Sequence, residues 1–459
     1  MNTHTINIKQ KILLFLLLSA LMSISFFSQT YRTFQLDSER WVNSMLAAGI
    51  IGIDLSEADF GMNLLSCDGI VWDGMYANTL EQGGHDTMYL LWHSNDYGSR
   101  TVQIAGTRKQ QIAPQGWFAY YLGLTYQWTH IPPKYYYYIL RLMNAGLLAL
   151  ILTGISFELR KAYDIFFASC FYCACLVSVW IINFSPNLYW AAFTWFLPML
   201  LGLVCMNNPS VRWYMYPLIA LSVAVKSWCG YEYISTVMMC AIVFTLTEYL
   251  SSLGNDKLRA KTMFSLTWGI GLSALAGFAG AILFHAYVRG GGDVISGLSE
   301  IYHTDVLRRT FGSADGLPEN LADDTLIREA VSASVIRTLA RYLFKYEGWP
   351  ALLMLLVSSA STITAKFRHN ISVKRDVILL AVSFWSSISW FVLAKNHSYI
   401  HISMNYVLWY MPFIPAAMYV FLKQRLAVFM PDPEQRAALS EAVPAFIKRA
   451  IFLPCTTTR

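Results

Sequence analysis

The residues of this chain with the clearest chemical potential lie in short polar segments between long apolar runs. The first is Leu36-Asp37-Ser38-Glu39-Arg40-Trp41, a few residues beyond an apolar N-terminal run. A carboxylate tethered at a membrane surface and partly shielded from water can have its pKa tuned and can take a proton from a sugar hydroxyl. Asp37 and Glu39 are therefore candidates for a general base, with Arg40 beside them. The same residues suit a structural task equally well: Asp37 and Ser38 can cap the helical-looking stretch from Val42 to Gly49, and Glu39 can pair with Arg40.

Three further segments carry ionisable groups. Cys67-Asp68-Gly69-Ile70-Val71-Trp72-Asp73-Gly74 holds two Asp-Gly pairs. These are turn signals first, and Asp68 and Asp73 are the candidates if a second carboxylate binds an acceptor sugar or a divalent ion. Lys226-Ser227-Trp228-Cys229-Gly230-Tyr231-Glu232-Tyr233 sets a cation and an acid between two apolar runs. Charges at membrane depth are costly and face a cavity or one another, so Lys226 can hold a phosphate that Glu232 orients, with Tyr231 between them, or the two can form an ion pair. In Lys395-Asn396-His397-Ser398-Tyr399-Ile400-His401-Ile402-Ser403-Met404-Asn405 a helix would align His397, His401 and Asn405. With no third ligand in reach the pair does not read as a metal site. Beside Lys395 it suits the phosphate of a lipid-linked donor, or plain hydrogen-bonded structure.

These segments need a membrane to position them. Of the 459 residues 56% are hydrophobic and 14% charged, and the mean hydropathy is +0.41, which places the chain among polytopic helical membrane proteins rather than soluble domains. The net charge of +6 comes from Lys and Arg scattered in short loops, not from a basic stripe for nucleic acid. A helix needs about 20 apolar residues to cross the hydrocarbon. By that measure spans are expected near 12–29, 134–157, 165–184, 188–206, 213–227, 230–250, 264–287, 349–366, 376–395 and 405–422, an all-α bundle of about ten helices.

A cytoplasmic N-terminus makes every inner loop basic, from Lys9 and Lys11 through Arg160, Arg212, Lys257 and Arg375 to Lys423. The expected layout is a cytoplasmic start and first span (1–29), a first outer loop with interfacial helices (30–133), a bundle (134–287), a second outer loop (288–348), C-terminal spans (349–422) and a cytoplasmic tail (423–459). The second outer loop carries Arg289, the flexible Gly290-Gly291-Gly292, His303 and Arg308-Arg309.

The order of a first span, an outward acid pair, an interfacial helix and a Gln-Gly element (Pro114-Gln115-Gly116-Trp117) resembles the GT-C superfamily of membrane glycosyltransferases, which includes protein mannosyltransferases and lipid A aminoarabinose transferases. The turn Asn183-Phe184-Ser185-Pro186-Asn187 before Tyr189-Trp190 is similar to that architecture too. The resemblance implies a bacterial inner-membrane enzyme of cell-envelope polysaccharide biosynthesis, with its active site facing the periplasm. It implies an inverting transfer of a sugar from a polyprenyl phosphate to a glycan or lipid-linked acceptor, with Asp37 as the base. Here the family's adjacent acids are spread over Asp37-Ser38-Glu39. No obligatory cofactor or metal is implied, with a divalent cation allowed. An O-antigen polymerase or ligase would instead give weight to His303, Arg308 and Arg309, and a transporter or flippase would need intramembrane carboxylates, of which Glu232 is nearly the sole example.

Overall fold

A computed structural model describes residues 8–28, 67–72, 75–76, 102–107, 114–129, 131–307, 309–310, 325–344, 348–369 and 371–429, with isolated positions at 42, 45, 46, 49, 50, 52, 439 and 442. Helix α1 (Ile8–Ser28) is followed by three short strands, β1 (Cys67–Trp72), β2 (Met75–Tyr76) and β3 (Val102–Thr107). They form an antiparallel sheet in the order β2-β1-β3, with Ile70 opposite Ile104. The first long connection thus contains a small sheet as well as helix α2 (Pro114–Tyr126) beside an otherwise helical chain. Val102 to Thr107 alternates apolar and small or polar residues, a period-2 signal that hydropathy averaged over a span does not register.

The bundle follows as α3 (Pro133–Ala162), α4 (Ile165–Val177), α5 (Val179–Phe184), α6 (Phe193–Asn207), α7 (Arg212–Trp228), α8 (Ile234–Ser252) and α9 (Lys257–Arg289). After α10 (Val294–Ile301), a π-helical turn at Tyr302–Leu307, α11 (Thr325–Ser332) and α12 (Val335–Phe344), it resumes with α13 (Trp349–His369) and α14 (Lys374–Leu393). Two short helices, α15 (Lys395–Ile400) and α16 (Ile402–Asn405), and a 3-10 turn (Tyr406–Tyr410) lead to α17 (Phe413–Phe429). Six helices among the described residues are long and apolar enough to cross a membrane, or seven if the bent pair 402–410 and 413–429 is one span. The protein is thus a polytopic helical membrane protein.

The expected run 165–184 is two helices, because Ser178 adopts extended φ/ψ and its hydroxyl accepts from Ile181 N to start α5. The expected run 188–206 becomes helical only at Phe193, and α17 continues past 422 to Phe429.

Small residues set the closest approaches. A Cβ on Gly202 would strike the Ala241 carbonyl and one on Gly277 the Ala220 carbonyl, so α6 against α8 and α7 against α9 pack backbone to backbone. A polar seam joins α8 to α14, with Thr236 and Ser389 hydroxyls 3.3 Å apart and Cys240 Sγ donating to the Met411 carbonyl. At the end where α8 stops, the buried Glu248 is gripped by Arg259 of α9 and by Arg375 of α14, the latter with Nη2 at 2.5 Å. Lys423 of α17 reaches Asp376 at 2.6 Å beside it. Several cations of the basic loops therefore also tie helix ends together.

Candidate functional site

At the opposite end of the bundle the turn from α7 to α8 lies inside the protein. Gly230 holds φ +133°, a conformation suited to glycine, and a Cβ there would run into the Glu232 carboxylate. The turn offers the Gly230 carbonyl to Lys226, whose buried Nζ donates across 2.6 Å. It also sets Glu232 facing Arg309, which donates from Nη2 to Glu232 Oε1 at 3.1 Å. One helical turn before Arg309, Asp305 Oδ1 lies 3.4 Å from the same Nη2. Its other oxygen accepts from Arg289 Nη1 at 2.6 Å. The side chains of Arg289, Asp305 and Arg309 are all less than 10% exposed. Lys226 stands in the electrostatic field of both Glu232 and Arg309.

One turn before Arg289 on α9, His285 Nδ1 is hydrogen-bonded to the Tyr231 hydroxyl. Burial pushes the Tyr231 phenol pKa above its ordinary value, so its proton stays in place at physiological pH.

Lys226, Arg289 and Arg309 thus meet Glu232 and Asp305, three basic groups and two acidic ones in one buried cluster. Burial alone would lower the Arg309 pKa, but Glu232 and Asp305 outweigh it and raise it, so the guanidinium stays charged. Its Nε and Nη1 are buried and make no hydrogen bond among the described residues. Each of these N–H groups can donate singly to an anionic oxygen.

Lys395 lies elsewhere and does something else. Its Nζ donates to the carbonyls of Ala330, Val331 and Ala333 at 2.9, 2.8 and 2.7 Å. All three N–H donors of the ammonium are used in closing the C-terminal end of α11. The expectation of a phosphate contact from Lys395 therefore falls on an ammonium whose donors already have carbonyl partners. The line of His397, His401 and Asn405 is also broken, because α15 ends at Ile400 and His401 separates it from α16. The two imidazole rings still lie 4.6 Å apart. Asn405, fully buried, donates to the Tyr342 hydroxyl at 2.8 Å, and that hydroxyl donates to the Ser398 carbonyl at 2.5 Å.

Aromatic rings bridge the two regions. Tyr233, adjacent to Glu232, has its ring 5.8 Å from that of Trp390, and Trp390 is 5.7 Å from His397. On its other side Tyr233 lies nearly parallel to Trp190, 15° between planes and 6.1 Å between centroids. Trp190 is held by its turn: Asn187 Oδ1 accepts from the backbone N–H groups of Tyr189 and Trp190, while Asn144 of α3 donates to the carbonyls of Ser185 and Asn187. Tyr233 (φ +66°) and Ala191 (φ +43°) both occupy left-handed backbone, strained for residues with a Cβ. Such strain concentrates at sites that act on something.

The structure therefore brings Lys226, Tyr231 and Glu232 into one cluster and His397, His401 and Asn405 into a neighbouring one. Asp37, Glu39, Arg40 and Asp73 lie outside the described residues, and so do the side chains of Asp68 on β1 and Gln115 in α2. Sequence reasoning passed over His285 and Asp305. An ionisable residue one turn before Arg289 on a membrane helix, and an acid four residues before Arg309, were the available signals. Among the described residues no group of three or more His, Cys, Asp or Glu is placed to hold a metal ion. No family model, curated protein or solved structure matches the chain.

Proposed function

We propose that this protein is a membrane glycosyltransferase that moves a sugar from a polyprenyl phosphate to a glycan or lipid-linked acceptor of the cell envelope. The observation that carries the reading is the buried cluster of Lys226, Arg289 and Arg309 against Glu232 and Asp305, with Arg309 Nε and Nη1 unpartnered among the described residues. A donor phosphate accepts from these N–H groups, and the guanidinium stabilises that phosphate as it leaves. Such chemistry at the end of an apolar bundle suits a substrate delivered through the bilayer.

In this reading Asp37 takes the proton of an acceptor hydroxyl. The acceptor oxygen bonds to the anomeric carbon as the bond from that carbon to the phosphate oxygen breaks. The electron pair stays on the phosphate, and the configuration inverts. Glu39 and Arg40 flank the base, Asp68, Asp73 and Gln115 are assigned to the acceptor side, and His397 and His401 border the donor. The proposed location is the bacterial inner membrane, with the basic helix ends in the cytoplasm and the cluster facing the periplasm.

Arg309 also favours a second reading, an O-antigen ligase or polymerase that transfers a whole glycan chain. Mass spectrometry separates the two. Purified protein in bilayer discs is incubated with polyprenyl-phosphate sugars, lipid-linked glycans and extracted envelope glycans. A gain of one sugar residue with release of polyprenyl phosphate supports the first reading, transfer of a chain supports the second, and no transfer to any acceptor rejects both.

A further inference from the structure

Between the ionic cluster and the His pair, several buried hydrogen-bonding atoms have no partner among the described residues. They are the indole Nε1 of Trp190 and of Trp390, the Tyr233 hydroxyl, Asn405 Oδ1 and the Ser398 hydroxyl. The residues are at most 8% exposed, and Tyr233, Ser398 and Asn405 are fully buried. A buried polar atom left unpaired is costly, and native proteins keep few of them. Ring contacts bring several of these segments together: Trp190, in the turn before α6, meets Tyr233 at the start of α8, Tyr233 meets Trp390 at the end of α14, and Trp390 meets His397 of α15. Asn405 donates to the Tyr342 hydroxyl, which donates to the Ser398 carbonyl beside His397.

The atom types narrow the ligand. Indole N–H groups only donate and the Asn405 carbonyl oxygen only accepts, while hydroxyls do both. A phosphate at neutral pH offers little to an acceptor, and an aliphatic lipid chain offers nothing to either. A molecule that carries many hydroxyls and presents C–H faces to aromatic rings satisfies the whole set. We infer that Trp190, Tyr233 and Trp390, with Ser398 and Asn405, form a subsite for a sugar ring. The donor phosphate would lie next to it, because Glu232, the partner of Arg309, precedes Tyr233 in the chain. The inference rests on the lipid-linked-sugar reading for the route by which the ring arrives, but not for its recognition.

The full-length protein in bilayer discs is tested with two kinds of probe. Native mass spectrometry compares polyprenyl phosphate bearing glucose, mannose, galactose, N-acetylglucosamine or aminoarabinose with sugar-free polyprenyl phosphate. Saturation-transfer NMR examines the corresponding methyl glycosides. Tyr233→Phe removes one hydroxyl and Trp390→Phe one indole N–H. Each should weaken binding of at least one sugar-bearing lipid about 3–10-fold, the value of one neutral hydrogen bond, and leave sugar-free lipid unchanged. Because the hydroxyl has no partner among the described residues, Tyr233→Phe should keep or raise the thermal midpoint, so lost binding would not reflect lost folding.

If the two lipid classes bind equally and no variant separates them, the sugar subsite is overturned while the phosphate reading stands. If neither lipid binds but a glycoside signal depends on Tyr233, the subsite stands and the lipid-donor reading falls. Absence of binding by every probe overturns both.

Discussion

Arg309 and Glu232 meet across 77 residues of sequence, with 3.1 Å from Nη2 to Oε1. This contact engages Nη2, while Nε and Nη1 have no partner among the described residues. Those N–H groups are assigned to a phosphate. Arg309→Gln should therefore weaken binding of sugar-free polyprenyl phosphate about 10–100-fold, the range of a charge-assisted hydrogen bond of about 1.5–3 kcal/mol. Arg309→Lys keeps the charge without the planar set of donors and should fall between. A folded Arg309→Gln protein that binds as tightly as the parent would show that no anion sits there.

Asp305 is the shared counter-ion of Arg289 and Arg309. Asp305→Asn removes the carboxylate that these two buried guanidinium groups share. Loss of one partner from a buried ion pair costs about 3–5 kcal/mol, so denaturant unfolding should reveal a large loss of stability. The double variant Asp305→Asn/Arg289→Met should recover part of it, as coupled residues do. Strictly additive losses would mean that Asp305 and Arg289 do not act together.

Lys395 should behave differently from Arg309. Lys395→Met orphans the carbonyls of Ala330, Val331 and Ala333, and the expected result is a lower thermal midpoint with donor affinity unchanged in the protein that remains folded. Weaker donor binding at unchanged stability would restore Lys395 to the phosphate site.

The contrast between these two cations shows how far the sequence could be read. The apolar runs were legible because the bilayer imposes a length on every span, and the charges of Lys226 and Glu232 stood out because burying them is costly. Their partners were not legible. Arg309 lies on a different, polar connection, where nothing local marks it as buried, and Asp305 finds Arg289 only because the chain after α9 turns back on itself. Lys395 looked like a ligand because its sequence neighbours are histidines, whereas its real partners are carbonyls some 60 residues earlier. The aromatic bridge is a tertiary feature: Trp190, Tyr233 and Trp390 are separated in sequence, and Trp and Tyr in a membrane chain are expected at interfaces anyway. The sheet was missed because its strands are short beside the spans.

Topology has its own test. With the basic helix ends in the cytoplasm, Ser94→Cys should react with a membrane-impermeant thiol reagent in intact spheroplasts, above the level given by the parent cysteines. If labelling requires broken membranes, the orientation is reversed and a periplasmic site is untenable.

The most direct test concerns the base. Asp37→Asn preserves side-chain size and an oxygen able to cap a helix, so a purely capping residue would lose at most a fraction of about 1 kcal/mol. Loss of a general base instead slows transfer on the order of 100-fold to 10,000-fold. The single-turnover rate of sugar transfer should be measured for Asp37→Asn beside Asp68→Asn and Asp73→Asn, with the amount of folded protein matched. The expected result is a loss of that size in Asp37→Asn with donor binding intact. Near-parental transfer by Asp37→Asn, with Asp68→Asn or Asp73→Asn inactive, would contradict the assignment and move the base to the other acid.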